Sequence, residues 1–137
     1  MGGPGGLSLL LDTHALLWFW LGDTRLPGRA RSAIAEAGVD AMVSAISGLE
    51  ITTKHRIGKL PGASSIAERF EALVLEEGFT PLPVSVAHAA LAGRLTIPHG
   101  DPFDRVLIAQ SLIERIPLVS NERLFDAAGV SRIWSSP

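Results

Sequence analysis

With 137 residues, 47% of them hydrophobic and 19% charged, the chain is long enough to enclose one sizeable core and too apolar for a disordered polymer. Its 14 acidic and 12 basic side chains give a formal charge of −2, which excludes the strong positive excess of most duplex-binding modules. Attraction to nucleic acid would need help from a bound cation, and the absence of cysteine excludes a disulfide framework and thiolate-bound zinc and fits a reducing compartment.

Residues 1–6, Met-Gly-Gly-Pro-Gly-Gly, have no apolar side chain beyond the first and read as a flexible tail, leaving 7–137 as a single domain. Residues 7–11 are a short apolar run ending at Asp12, which predicts a strand buried on both faces. The run is too short for a signal or membrane span, so a soluble, cytoplasmic protein is expected. Residues 15–21 read as a helix that is apolar on every side, including Trp18, Phe19 and Trp20. Such a helix is either internal or lends one aromatic edge to a dimer or partner groove.

Proline near the start and Gly38 just beyond predict a second helix over 27–37, and 41–43 forms a plausible short strand. A helix over 47–57 opens with Ser-Gly-Leu-Glu, a capping-box arrangement of Ser47 and Glu50, and is closed by Gly58. Ile66, Phe70, Leu73 and Val74 mark a helix over 65–77. Two prolines make 79–84 an edge strand at most, and 85–93 is a short Ala-rich helix. The clearest helix is 101–116, with Asp101 as cap, Pro102 in the first turn and Val106, Leu107 and Ile113 as its apolar stripe. Brief strands follow at 118–120 and 131–134. Strands alternate with helices throughout, which favours a parallel, doubly wound sheet.

In such a sheet ligands bind at the carboxyl ends of the strands. Asp12 follows the first strand, Glu50 lies in the first turn of the helix after the second, Asp101 and Asp104 open the helix from 101, and Glu122 follows the strand at 118–120. Taken singly, each acid is explained by capping, because helix N-termini favour negative charge. Gathered at one edge, they would repel one another unless a cation lay among them. Hard Mg²⁺ suits carboxylate oxygens, and it could bind a phosphate oxygen and lower the pKa of a bound water for attack on a phosphodiester. The residues alone choose neither RNA over DNA nor hydrolysis over phosphate transfer.

Lys54, His55, Arg56 and Lys59 form the densest basic cluster, which is either a solvated helix face with a Glu50–Lys54 ion pair or a phosphate contact. Arg105, next to Asp104, is the better phosphate candidate, with pairing to Asp101 as the alternative. His14, His55, His88 and His99 make no metal-ligand spacing with one another, and only His99 borders the acidic motif.

Three ordered blocks carry a resemblance: Leu-Leu-Leu-Asp-Thr-His-Ala-Leu-Leu-Trp at 9–18, Glu-Ile-Thr-Thr-Lys-His-Arg-Ile-Gly-Lys-Leu at 50–60, and His-Gly-Asp-Pro-Phe-Asp-Arg at 99–105, continued by Leu-Ile-Ala-Gln at 107–110. The chain resembles the VapC-type toxins of the PIN-domain ribonucleases from residue 7 to 134. The resemblance implies a PIN-like three-layer α/β/α domain with a central parallel sheet of four or five strands. It implies that Asp12, Glu50 and Asp104 are catalytic metal ligands, with Asp101 as auxiliary ligand or cap and Glu122 standing where an aspartate is more usual. Ser120 and Asn121 match the family's polar turn and, with Lys54 and Arg105, are the expected substrate-binding residues. Mg²⁺ or Mn²⁺ dependence, an RNA substrate, a homodimer and a VapB-type antitoxin partner are implied in the same way. Gly100 departs from a frequent arginine and Gly48-Leu49 from a frequent Leu-Trp. A non-catalytic module that binds a protein through the aromatic helix is the alternative. A phospho-acceptor receiver fits less well, lacking an acidic pair after the first strand and a lysine after a late one.

Overall fold

The computed structural model describes residues 7–36 and 38–135. The tail expected at 1–6 and the end of the second predicted helix at Ala37 lie outside them. Five parallel strands, β1 (Ser8–Leu11), β2 (Asp40–Ser44), β3 (Thr80–Leu82), β4 (Leu118–Val119) and β5 (Arg132–Ile133), lie side by side in the order β3-β2-β1-β4-β5. The apolar run that predicted a doubly buried strand is the central one. Leu9 and Leu11 point into one core with Leu16 and Ile34, while Leu10 points to the other face with Leu107, Ile108 and Phe125. This is the period-two alternation of a strand covered on both sides.

The first core is roofed by α1 (Thr13–Leu21), α2 (Gly28–Ala35), α4 (Ser64–Glu68) and α5 (Phe70–Glu76); the second lies under α7 (Pro102–Glu114), against which α6 (Val86–Arg94) packs. Helix α3 (Ala45–Arg56) gives Ile51 to the first core and Ile46 to the second. The three-layer α/β/α expectation therefore holds, with five strands rather than four. β3 is indeed an edge strand, and Pro81 tolerates that place because an outer edge needs no further N–H. The aromatic helix α1 packs inward: Trp18 lies 5.9 Å from Trp134, Phe19 5.9 Å from Phe79 and Trp20 5.9 Å from Phe70, between ring centres.

Two local expectations are corrected. The capping box at Ser47 and Glu50 does not form, because β2 runs straight into α3 and the change from extended to helical backbone falls at Ser44. Ser44 accepts a hydrogen bond from Ile46 N at 3.0 Å, whereas Ser47 is buried one turn on and pairs with the Thr13 hydroxyl at 2.9 Å. A capping box does occur at Ser85, which opens α6 and exchanges hydrogen bonds with His88. The helix expected over 65–77 is broken at Arg69 into α4 and α5. A 3-10 turn, Arg123–Ala128, was not anticipated; Glu122 caps it through Leu124 N at 3.2 Å. Gly48 has a packing reason, since a Cβ there would lie 3.0 Å from the Phe70 ring.

Candidate metal centre

The order β3-β2-β1-β4-β5 reverses direction at β1, so the crevice of the sheet opens between the carboxyl ends of β1 and β4. Asp12 sits there, as the first residue after β1 and the N-cap of α1. Its backbone N–H continues the ladder to Val119 O at 3.0 Å. Its carboxylate accepts the Ser120 hydroxyl at 2.6 Å and, more weakly, His14 N at 3.3 Å. Burial raises the Asp12 pKa, opposed by the Ser120 bond and His14, and the charge of Glu50 pushes it further up.

Glu50 enters from the second turn of α3, beside the Thr13–Ser47 bond that ties α3 to α1. Its side chain is 2% exposed and its Oε2 meets Lys54 Nζ at 2.6 Å. Its Oε1 is buried without a hydrogen-bond partner. Leaving a charged oxygen so placed is costly, so the atom is set for a group that the chain itself does not supply.

Asp101 and Asp104 open α7. Asp101 takes the capping role, accepting from Phe103 N at 2.8 Å and Asp104 N at 3.4 Å. Asp104 is left to face the cluster. Burial first, then the charges of Asp12, Asp101 and Glu50, raise its pKa to about 6 despite a hydrogen bond to His99 Nε2 at 2.7 Å. Four acids from three separated stretches thus share one field at the switch point.

Those carboxylates suit a hard divalent ion in donor chemistry, and the lone pairs of Glu50 Oε1 are not taken by any hydrogen bond. They are not a finished cage: among the described residues no three acidic or imidazole side chains form a group that would hold an ion as they stand. Asp12, Glu50 and Asp104 are turned to Ser120, Lys54 and His99 respectively. An ion would have to exchange with some of these protein partners.

The other expected residues are placed differently. Arg105 is corrected from a phosphate ligand to a structural clamp: Nε donates to Ala92 O, one terminal nitrogen to Ile97 O and His99 O, and the other to Leu95 O. Ser120 is fully buried, so its hydroxyl orients Asp12 and cannot meet a substrate. Glu122 holds the 3-10 turn and its amide bonds back to Ser120 Oγ at 3.0 Å. Asn121 is exposed beside them. His99 is the group whose role the sequence left open; it stands edge-on to the buried Phe125, ring centres 5.6 Å apart, with its Nε2 aimed at Asp104.

The profile of the family described as PIN domain matches residues 9–130. Among solved structures, the fold is similar to Mycobacterium tuberculosis VapC20, a Sarcin-Ricin loop cleaving toxin, with TM-score 0.69 and 19% identity over 93% of this chain and 99% of that one. It is also similar to VapBC-1 from nontypeable Haemophilus influenzae, with TM-score 0.67 and 17% identity over 93% and 97% of the chains. A third similar structure is VapBC2 from Rickettsia felis bound to a promoter DNA fragment, with TM-score 0.68 and 13% identity over 94% and 100%. No curated protein sequence matches. No helix among the described residues is long and apolar enough to cross a membrane.

Proposed function

Because the chain belongs to the PIN domain family, we propose that it is a divalent-metal-dependent endoribonuclease acting as the toxin of a VapBC-type toxin-antitoxin module. Asp12, Glu50 and Asp104 are the ligands in this reading, with Asp101 beside them. The observation that carries it is the meeting of these acids at the switch point of the sheet, one with a buried carboxylate oxygen that has no partner.

When bound, Mg²⁺ or Mn²⁺ supplies neutralising charge, polarisation of a phosphoryl oxygen and a more acidic water. The chain's own part is to hold anionic oxygens in fixed directions. Ser120 fixes Asp12, helix α3 brings Glu50 in as a buried wall, and the Asp101 cap sets the first turn of α7, which holds Asp104 within the field of the other two. With a net charge of −2, the protein attracts a polyanion through this loaded centre rather than through its surface at large.

The partner in this reading is an antitoxin like those in the similar VapBC complexes, and the assembly that it proposes is a homodimer. A non-catalytic module resting on the aromatic helix has less support, because the rings of α1 stack on Trp134, Phe79 and Phe70 within the same chain.

Antitoxin-free protein should cleave RNA with Mg²⁺ and stop on adding EDTA. Asp12→Asn should slow cleavage by roughly 100-fold or more, since removing a charged ligand costs at least what loss of an outer partner does. Equal cleavage by a folded Asp12→Asn variant removes the assignment.

A further inference from the structure

The acids at the end of β1, in α3 and at the start of α7 disfavour one another's charge, and something must offset that repulsion. Ser120 is neutral, and Arg105 has its guanidinium committed to four carbonyls between residues 92 and 99. Among the described residues, Lys54 is the permanent cation in hydrogen-bond contact with the cluster, its Nζ 2.6 Å from Glu50 Oε2. The two residues are one helical turn apart on α3 and so share a face. Lys54 also feels the charges of Asp101 and Asp104 across the site. Its side chain is 32% exposed against 2% for Glu50, so the ammonium comes in from the rim on a flexible stem that can swing back to water.

From this geometry we propose that Lys54 is an internal counter-cation for the acid cluster, and that a divalent ion takes its place on Glu50. The inference rests on the metal-site reading above. Glu50 is the pivot: one oxygen holds the lysine and the other, buried and unpartnered, awaits the ion. An ammonium and a divalent ion on one carboxylate repel strongly where water is scarce. Loading the site is therefore an exchange of cations, with the lysine offsetting the repulsion of the acids when no ion is bound.

The test is titration of antitoxin-free protein with Mn²⁺, followed by calorimetry, for the wild type, Lys54→Met and Lys54→Arg. Lys54→Met should bind Mn²⁺ about tenfold more tightly, melt at a lower temperature in EDTA and gain more from Mn²⁺ in its melting temperature. Lys54→Arg, which keeps the charge, should follow the wild type. In the wild type itself, acetylation of Lys54 by a lysine-directed reagent, read by peptide mass spectrometry, should rise with Mn²⁺ and saturate with binding. That arm decides the matter alone if Lys54→Met does not fold without metal. Equal Mn²⁺ affinity in wild type and Lys54→Met, or acetylation that does not rise, overturns the exchange while leaving the metal site standing. Failure of every variant and the wild type to bind Mn²⁺ overturns both.

Discussion

Asp104→Asn is expected to make the metal-free protein more stable near neutral pH and to abolish its stabilisation by Mg²⁺. The Asp104 pKa of about 6 in the fold lies above the ordinary 3.8, because burial and three neighbouring acids disfavour its charge. Ionising it therefore costs folding stability. That cost is present in full above pH 6, fades as the pH falls toward 3.8, and is gone where folded and unfolded chains are both protonated. The gap between the two values corresponds to on the order of 2–3 kcal/mol. Asparagine carries no charge and keeps an acceptor for His99. In EDTA at pH 7.5, urea unfolding should show the variant more stable than the wild type by about that amount, and at pH 4 the two should converge. With Mg²⁺ the order reverses, since only the wild type has the anionic oxygen that the ion would stabilise. A variant less stable than the wild type in EDTA at pH 7.5 would show that Asp104 is not strained by its neighbours.

Arg105→Met should have the opposite character, damaging the fold first and the site through it. One guanidinium holds four carbonyls, those of Ala92 at the end of α6 and of Leu95, Ile97 and His99 in the segment leading to α7. A planar fork with five donors fills such a set, and methionine matches only the stem. Losing four charge-assisted bonds while leaving half-buried carbonyls unpaired should cost roughly 3–4 kcal/mol in urea unfolding. Hydrogen exchange should speed up across residues 95–100, where the clamp acts, and Asp104 should lose its fixed His99 partner. Arg105→Lys should recover only part of the loss, because a single ammonium cannot reach four carbonyls. Unchanged stability in both variants would mean that the clamp is ornamental and that Arg105 is free for another task.

Much of the fold was legible because its signals are local. The apolar run before Asp12 is the central strand, and Asp101-Pro102 starts α7 where the spacing placed it. The entry to α3 was not legible, since Ser44 and Ser47 both have the chemistry of a cap. The sheet decides between them: Ser44 is still in register with Leu82 of β3 and is the last extended residue. Arg105 was misread for a similar reason. Beside Asp104 in sequence it suggests a phosphate contact, and only the path of residues 92–99 reveals four carbonyls converging on it. Ser120 is expected at the substrate because sequence does not show that the end of β4 lies against the end of β1, where its hydroxyl is taken by Asp12. The break at Arg69 and the 3-10 turn after Glu122 leave no periodic trace. The acidic cluster is inferred from strand-to-helix junctions and the Glu50–Lys54 pair from its four-residue spacing, whereas the contact of His99 with Asp104 emerges only in three dimensions.

The most direct measurement of the central claim is anomalous X-ray scattering from crystals of antitoxin-free protein soaked in Mn²⁺. The account predicts a manganese peak bounded by the carboxylates of Asp12, Glu50 and Asp104, with Lys54 withdrawn from Glu50. A crystal that shows no peak there at saturating Mn²⁺, with Lys54 still on Glu50, would contradict it.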